Sequence, residues 1–164
     1  MDTHPQNMDK GRSGMDVQPY RRLGIMALLS LLSMYILMYA MVNAFPNVIN
    51  NLNNFYMAAL MAAPMPIFAV LIMRMMYRDG RLNAIIVAVS AVALVVFFLL
   101  IRQQAAIGDR QFLRSMIPHH AGAILMCRQA PIQDPEIKAL CQSIISSQQS
   151  EIDQMKDILE RLDR

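Results

Sequence analysis

With 164 residues, 55% of them hydrophobic and only 16% charged, the chain is too apolar for an ordinary soluble domain, in which about a quarter of residues carry charge. Its formal charge of +3 averages over unlike parts. The arginines gather at the ends of apolar runs, where they mark membrane topology and give no sign of a nucleic-acid partner.

Residues 1–19 are polar, rich in Asp, Gln, Gly and Pro, and show no apolar period. Residues 1–22 are therefore expected to form a disordered cytoplasmic tail. His4, Met8 and Met15 could act there as a metal lure, although isolated side chains in a flexible tail are ordinarily just solvated.

Three apolar runs follow, over about residues 23–44, 55–73 and 82–101, each near the ~20 residues that a helix needs to cross hydrocarbon. Arg21 and Arg22 precede the first as the basic region of a signal peptide would, and Val42-Asn43-Ala44 has the small residues of a cleavage site. The run is longer than the 7 to 15 residues usual in a signal peptide, so an uncleaved first helix is expected. The connection FPNVINNLNN carries no charge, whereas the next carries Arg74, Arg78 and Arg81 against Asp79. Arginine bias then places the N-terminus and second connection in the cytoplasm. The Asn-rich loop and the C-terminal segment lie outside, in the periplasm if the membrane is a bacterial inner membrane. Arg102 is a weaker opposing signal.

Pro64 and Pro66 are expected to break the second span. Ten of the sixteen methionines lie between Met26 and Met76. Met34, Met38 and Met41 share one face of the first helix, and Met57, Met61 and Met65 share one of the second. Packing or lipid contact is the plain account of such stripes; the sharper one is a thioether track for a soft cation. No ionisable residue stands in the middle of a span, which argues against a proton-coupled transporter.

Beyond Ile101 a short link leads to a helix expected over about residues 109–130, with Pro118 either kinking it or starting it afresh. Pro131, Asp134 and Pro135 end this helix and open another, which runs to about Leu162, with Asp134 as N-cap and Pro135 at its first position. The pair makes an antiparallel hairpin over residues 106–164, too small to bury a large core alone, so a homodimer completing a four-helix bundle is expected. Folding about residue 134 sets Cys127 level with Cys141. They can form a disulfide, remain buried thiols, or act as a thiolate metal pair, with the disulfide favoured in an oxidising compartment.

At about 100° per residue, Met116, His119, His120, Ala123, Met126 and Cys127 fall within about 120° of one another, and Asp109 joins that face. The hairpin arithmetic brings Gln148, Glu151 and Met155 to the same layer. Thioether and imidazole together suit Cu(I), Cu(II) or Ag(I) better than zinc. The candidate metal set is Asp109, Met116, His119, His120, Met126, Glu151 and Met155. The competing account is a packed helix face with a hydrogen-bonded histidine pair.

Asp109, Phe112-Leu113, Met116-Ile117-Pro118-His119-His120, Ala123-Ile124 and Met126, then Ile144, Gln148, Glu151-Ile152 and Met155, resemble the signature of the family called domain of unknown function 305. The likeness covers about residues 106–164, and M-I-P-H-H followed by Q-x-x-E-I-x-x-M is quite specific. It implies a ferritin-like helical domain, exported, that binds copper or silver in metal homeostasis or resistance. Cys127 and Cys141 stand where small residues are expected in that family, so a disulfide there would be special to this chain.

The expected function is a membrane-anchored periplasmic copper- or silver-binding protein that buffers metal or passes it to a metal-handling membrane partner, and not an enzyme. A ferritin-type diiron oxidase would need Glu-x-x-His pairs, and Glu136, Glu151 and Glu160 supply none. The rival reading is a structural or regulatory membrane subunit whose hairpin binds a protein partner without metal.

Overall fold

The computed structural model describes residues 17–164; the expectations for the tail before Val17, His4, Met8 and Met15 included, lie outside the described residues. Helix α1 spans Val17–Leu37 and continues as a 3-10 turn over Met38–Met41. It begins six residues before the expected Leu23, because tertiary contacts hold the polar turn in helical form. The Tyr20 hydroxyl accepts from the Asp79 backbone N–H at 3.1 Å and donates to Asn83 Oδ1 at 3.0 Å. Its ring packs 5.3 Å from that of Tyr77, beside buried Leu23 and Val70.

Helices α2 (Leu52–Ala62) and α3 (Pro64–Ile72) form one span with a join at Ala63. Asn51 caps α2 by accepting from the Asn54 N–H at 2.8 Å. Pro64 starts α3 and Pro66 follows in its first turn, where a missing N–H costs least. The expected break therefore falls at Ala63, whose backbone stays helical. Helix α4 (Gly80–Arg102) is capped by Asp79, which accepts from the N–H groups of Arg81 and Leu82.

Val17–Met41, Leu52–Ile72 and Gly80–Arg102, of 25, 21 and 23 residues, are long and apolar enough to cross a membrane. The Tyr20 contacts bring Arg21 and Arg22 to the same end as the Arg74–Arg81 connection. The Asn-rich loop lies at the other end, with the hairpin. Leu28, Leu29, Leu32, Ile36, Val89, Val92 and Val95 are exposed in the isolated chain, as lipid-facing side chains are.

Between α4 and the hairpin, Gln104 and Ala106 have φ of 49° and 58°, left-handed conformations that cost a non-glycine residue about 1–3 kcal/mol each. Neighbouring contacts hold this turn. The side chains of Gln104 and Asn53 exchange amide hydrogen bonds of 3.0 and 3.3 Å, and the Tyr56 hydroxyl donates to the Ala105 carbonyl.

Helices α5 (Asp109–Gln129) and α6 (Pro135–Asp163) run antiparallel. Asp134 caps α6 by accepting from the N–H groups of Glu136 and Ile137. Cys127 and Cys141 are joined by a disulfide, with Cα atoms 5.2 Å apart. At the opposite end Arg110 donates to the Leu162 carbonyl and pairs with Asp163 at 3.3 Å, while Arg114 lies 3.8 Å from the same carboxylate. Leu113, Ile117, Ala121 and Ile124 of α5 meet Ile152 and Met155 of α6 in the hairpin's core, and Val42 and Ile49 pack against it. Helix α5 passes through Pro118 without interruption.

The hairpin sits on the corner between α1 and α2. The Leu52 N–H donates to Gln111 Oε1 at 3.1 Å, Asn53 Nδ2 to Ser115 Oγ at 3.2 Å, and Lys156 Nζ to Asn47 Oδ1 at 2.6 Å. Asn47 is itself held by donating to Asn43 Oδ1 at 2.8 Å. These contacts tie the hairpin, through its polar side chains Gln111, Ser115 and Lys156, to the loop that joins the first two apolar helices.

Candidate metal centre

Helix α5 lies between two surroundings and sends its neighbouring histidines to different ones. His120 faces α6 and is only 7% exposed. Its Nδ1 lies 3.0 Å from the Met116 carbonyl oxygen and its Nε2 lies 2.7 Å from Glu151 Oε2. Both ring nitrogens are thus engaged by oxygen partners within the hairpin, and a metal could bind either only by displacing one of them. His120 is thus a strut between the helices, its ring held between the Met116 carbonyl of its own helix and the half-exposed Glu151 of α6.

His119, one position earlier and about 100° around the helix, is exposed and makes no hydrogen bond among the described residues. Its ring stands 6.1 Å from that of His120 at 64°. It lines a cavity of about 500 Å³ together with Met116 and Met126 of α5, Met38 and Met41 at the end of α1, and Met57 of α2. Asn53, Asn54 and Ser115 supply polar wall, and among the described residues no carboxylate lines the cavity. The close approach of α5 passes over Gly122, where an added Cβ would lie 3.6 Å from the Met41 carbonyl oxygen.

Five thioethers and an imidazole form a soft, uncharged donor set that fits Cu(I) or Ag(I) and offers little to zinc or to hard divalent cations. Among the described residues no three of His, Cys, Asp and Glu come together to hold a metal. Among the described residues, a soft-metal site would therefore draw on methionine.

The structure divides the candidate set read from the sequence. Met116, His119 and Met126 share the cavity. Glu151 is engaged with His120. Met155 is buried in the hairpin core. Asp109 lies in the first turn of α5, beside Leu162 at the hairpin's far end. The disulfide removes the thiolate pair from consideration. A helical wheel puts Asp109, Met116, His119, His120 and Met126 on one stripe because it treats α5 as isolated, and the hairpin arithmetic adds Glu151 and Met155; in the fold α6 takes one side of α5 and the α1–α2 corner takes another. Met38, Met41 and Met57 lay outside the set; their facial spacing was visible, but nothing local signals that α5 docks above them.

The chain belongs to the family described as Domain of unknown function (DUF305), which matches residues 100–159, the link and nearly all of the hairpin. An uncharacterised protein of Acanthamoeba polyphaga mimivirus is 38% identical over 112 residues, covering 67% of this chain and 72% of that protein. That extent exceeds the 65 residues from Leu100 to Arg164, so the likeness reaches into the apolar spans. No solved structure matches the chain.

Proposed function

We propose that this is a membrane-anchored protein that holds copper or silver, as Cu(I) or Ag(I), at the outer face of a membrane. Met116, His119 and Met126 of α5 serve as the ligands. The metal is cargo, to be buffered or handed to a metal-handling membrane partner in homeostasis or resistance, and no bond-breaking chemistry is required. The observation that carries the reading is the shared cavity, lined from α5 by two methionines and by a histidine that makes no hydrogen bond among the described residues.

Arginine placement supports a cytoplasmic N-terminus and an outer, periplasm-like location for the hairpin. The Cys127–Cys141 disulfide fits an oxidising compartment. Ile137 and Leu140 are 48% and 59% exposed, apolar side chains near the start of α6 that α5 leaves uncovered. They support a homodimer in which two hairpins make a ferritin-like four-helix bundle.

The test is a titration of the full chain in detergent micelles with Cu(I) and Ag(I) against a competing chelator. Tight binding that His119→Ala or the Met116→Leu/Met126→Leu pair weakens supports the reading. Equal binding by all variants, or none by the wild type, overturns it and leaves partner recognition by the hairpin as the better account.

A further inference from the structure

Three of the five methionines around the cavity come from outside the hairpin. Met38 and Met41 lie in the turn that ends α1, and Met57 is in the second turn of α2. We propose that these three side chains complete the metal site, so that one soft monovalent cation is held between the membrane helices and the hairpin. This rests on the soft-metal reading above and extends it: the site exists only where the two parts of the molecule meet.

Several observations converge on that assignment. The three thioethers stand at the level of the polar loop, near Asn53 and Asn54, which share the cavity wall; an ion arriving there meets polar groups before thioethers. The docking that encloses the space is specific, through Gln111 on the Leu52 N–H, Ser115 on Asn53, and Lys156 on Asn47. At Gly122 helix α5 lies beside the backbone of Met41, where an added Cβ would sit 3.6 Å from its carbonyl oxygen. Methionine has three rotatable bonds, so side chains from three helices can turn their sulfurs towards one ion without moving the backbone. With no carboxylate in the lining, the donors are neutral, which suits a soft monovalent ion.

A cation bound in this way favours the docked hairpin over the undocked one, since ligand affinity for one arrangement stabilises that arrangement. Metal loading and hairpin docking are then one equilibrium. The site reports metal occupancy to the membrane helices as well as storing the ion.

The test uses the full chain in micelles, labelled with 13C at the methionine methyl groups and titrated with Ag(I). The methyl signals of Met38, Met41, Met57, Met116 and Met126 should shift together, while those of Met34 and Met61, which do not line the cavity, stay in place. The Met38→Leu/Met41→Leu/Met57→Leu variant, close in volume to the wild type, should bind Ag(I) at least about ten-fold more weakly. Wild-type affinity in that variant, with still signals from Met38, Met41 and Met57 and moving signals from Met116 and Met126, overturns the shared site but leaves the hairpin site standing. No movement of any methionine methyl signal overturns both.

Discussion

Nε2 of His120 lies 2.7 Å from Oε2 of Glu151, and this bond separates two adjacent histidines into unlike roles. His120 spends both nitrogens on holding α5 to α6 through its own helix backbone and Glu151. His119, without a hydrogen-bond partner among the described residues, lines the cavity.

The two alanine variants should therefore fail differently. His120→Ala removes two hydrogen bonds from a buried ring and should destabilise the fold by about 1–3 kcal/mol. His119→Ala, at an exposed position, should change stability by less than about 0.5 kcal/mol while weakening Cu(I) binding. Thermal unfolding of the two proteins in micelles, followed by circular dichroism with and without Ag(I), distinguishes them; equal destabilisation would contradict the division.

Reducing the Cys127–Cys141 bond, which closes a loop with a sequence separation of 14, should lower hairpin stability by about 3 kcal/mol on chain-entropy grounds. The Cys127→Ser/Cys141→Ser variant should match the reduced wild type. Because no thiolate takes part in the cavity, the Cys127→Ser/Cys141→Ser variant should bind Ag(I) as tightly as the oxidised wild type. A loss in that variant, with its helices intact, would restore the cysteines as ligands.

Gly122 offers a graded probe of docking. Alanine makes only ordinary contact with Met41 and removes a helical glycine, so Gly122→Ala should gain about 0.5–1 kcal/mol in thermal stability. Gly122→Leu should push α5 off the corner and intrude on the cavity that Gly122 lines. Slower proteolysis of the alanine variant and faster cleavage of the leucine variant between α4 and α5 would confirm the geometry. Identical cleavage rates would contradict it.

The exposed Ile137 and Leu140 on α6 give a test of the dimer. Leu140→Glu places a charge where a second hairpin would pack, and should shift the chain from dimer to monomer in sedimentation of the micellar protein without loss of helicity. An unchanged sedimentation coefficient would count against the four-helix bundle.

Much of this architecture was legible locally. Asp134 and Pro135 fix where the hairpin turns, and two cysteines equidistant from that turn come level, so their proximity was legible by counting, whereas the choice among disulfide, buried thiols and a thiolate pair was not. The three spans followed from uninterrupted apolar length. What could not be read locally was the partitioning of α5. His119 and His120 straddle a boundary between two packing surfaces, and only the docking of Gln111, Ser115 and Lys156 on the Asn-rich loop decides which side each takes. The same long-range contacts decide that Met155 is core and that Met38, Met41 and Met57 line the cavity. Such contacts bridge 59 to 109 positions of sequence and leave no periodic trace. The early start of α1 at Val17 has the same origin, in Tyr20 meeting Asp79 and Asn83.

The central claim, a soft-donor site on the hairpin's membrane-facing side, is tested most directly by X-ray absorption at the copper edge of the full chain loaded with Cu(I) in micelles. The account predicts sulfur scatterers from methionine with a nitrogen contribution that disappears in His119→Ala. A spectrum of oxygen and nitrogen neighbours alone, or copper that washes away during desalting, would contradict it.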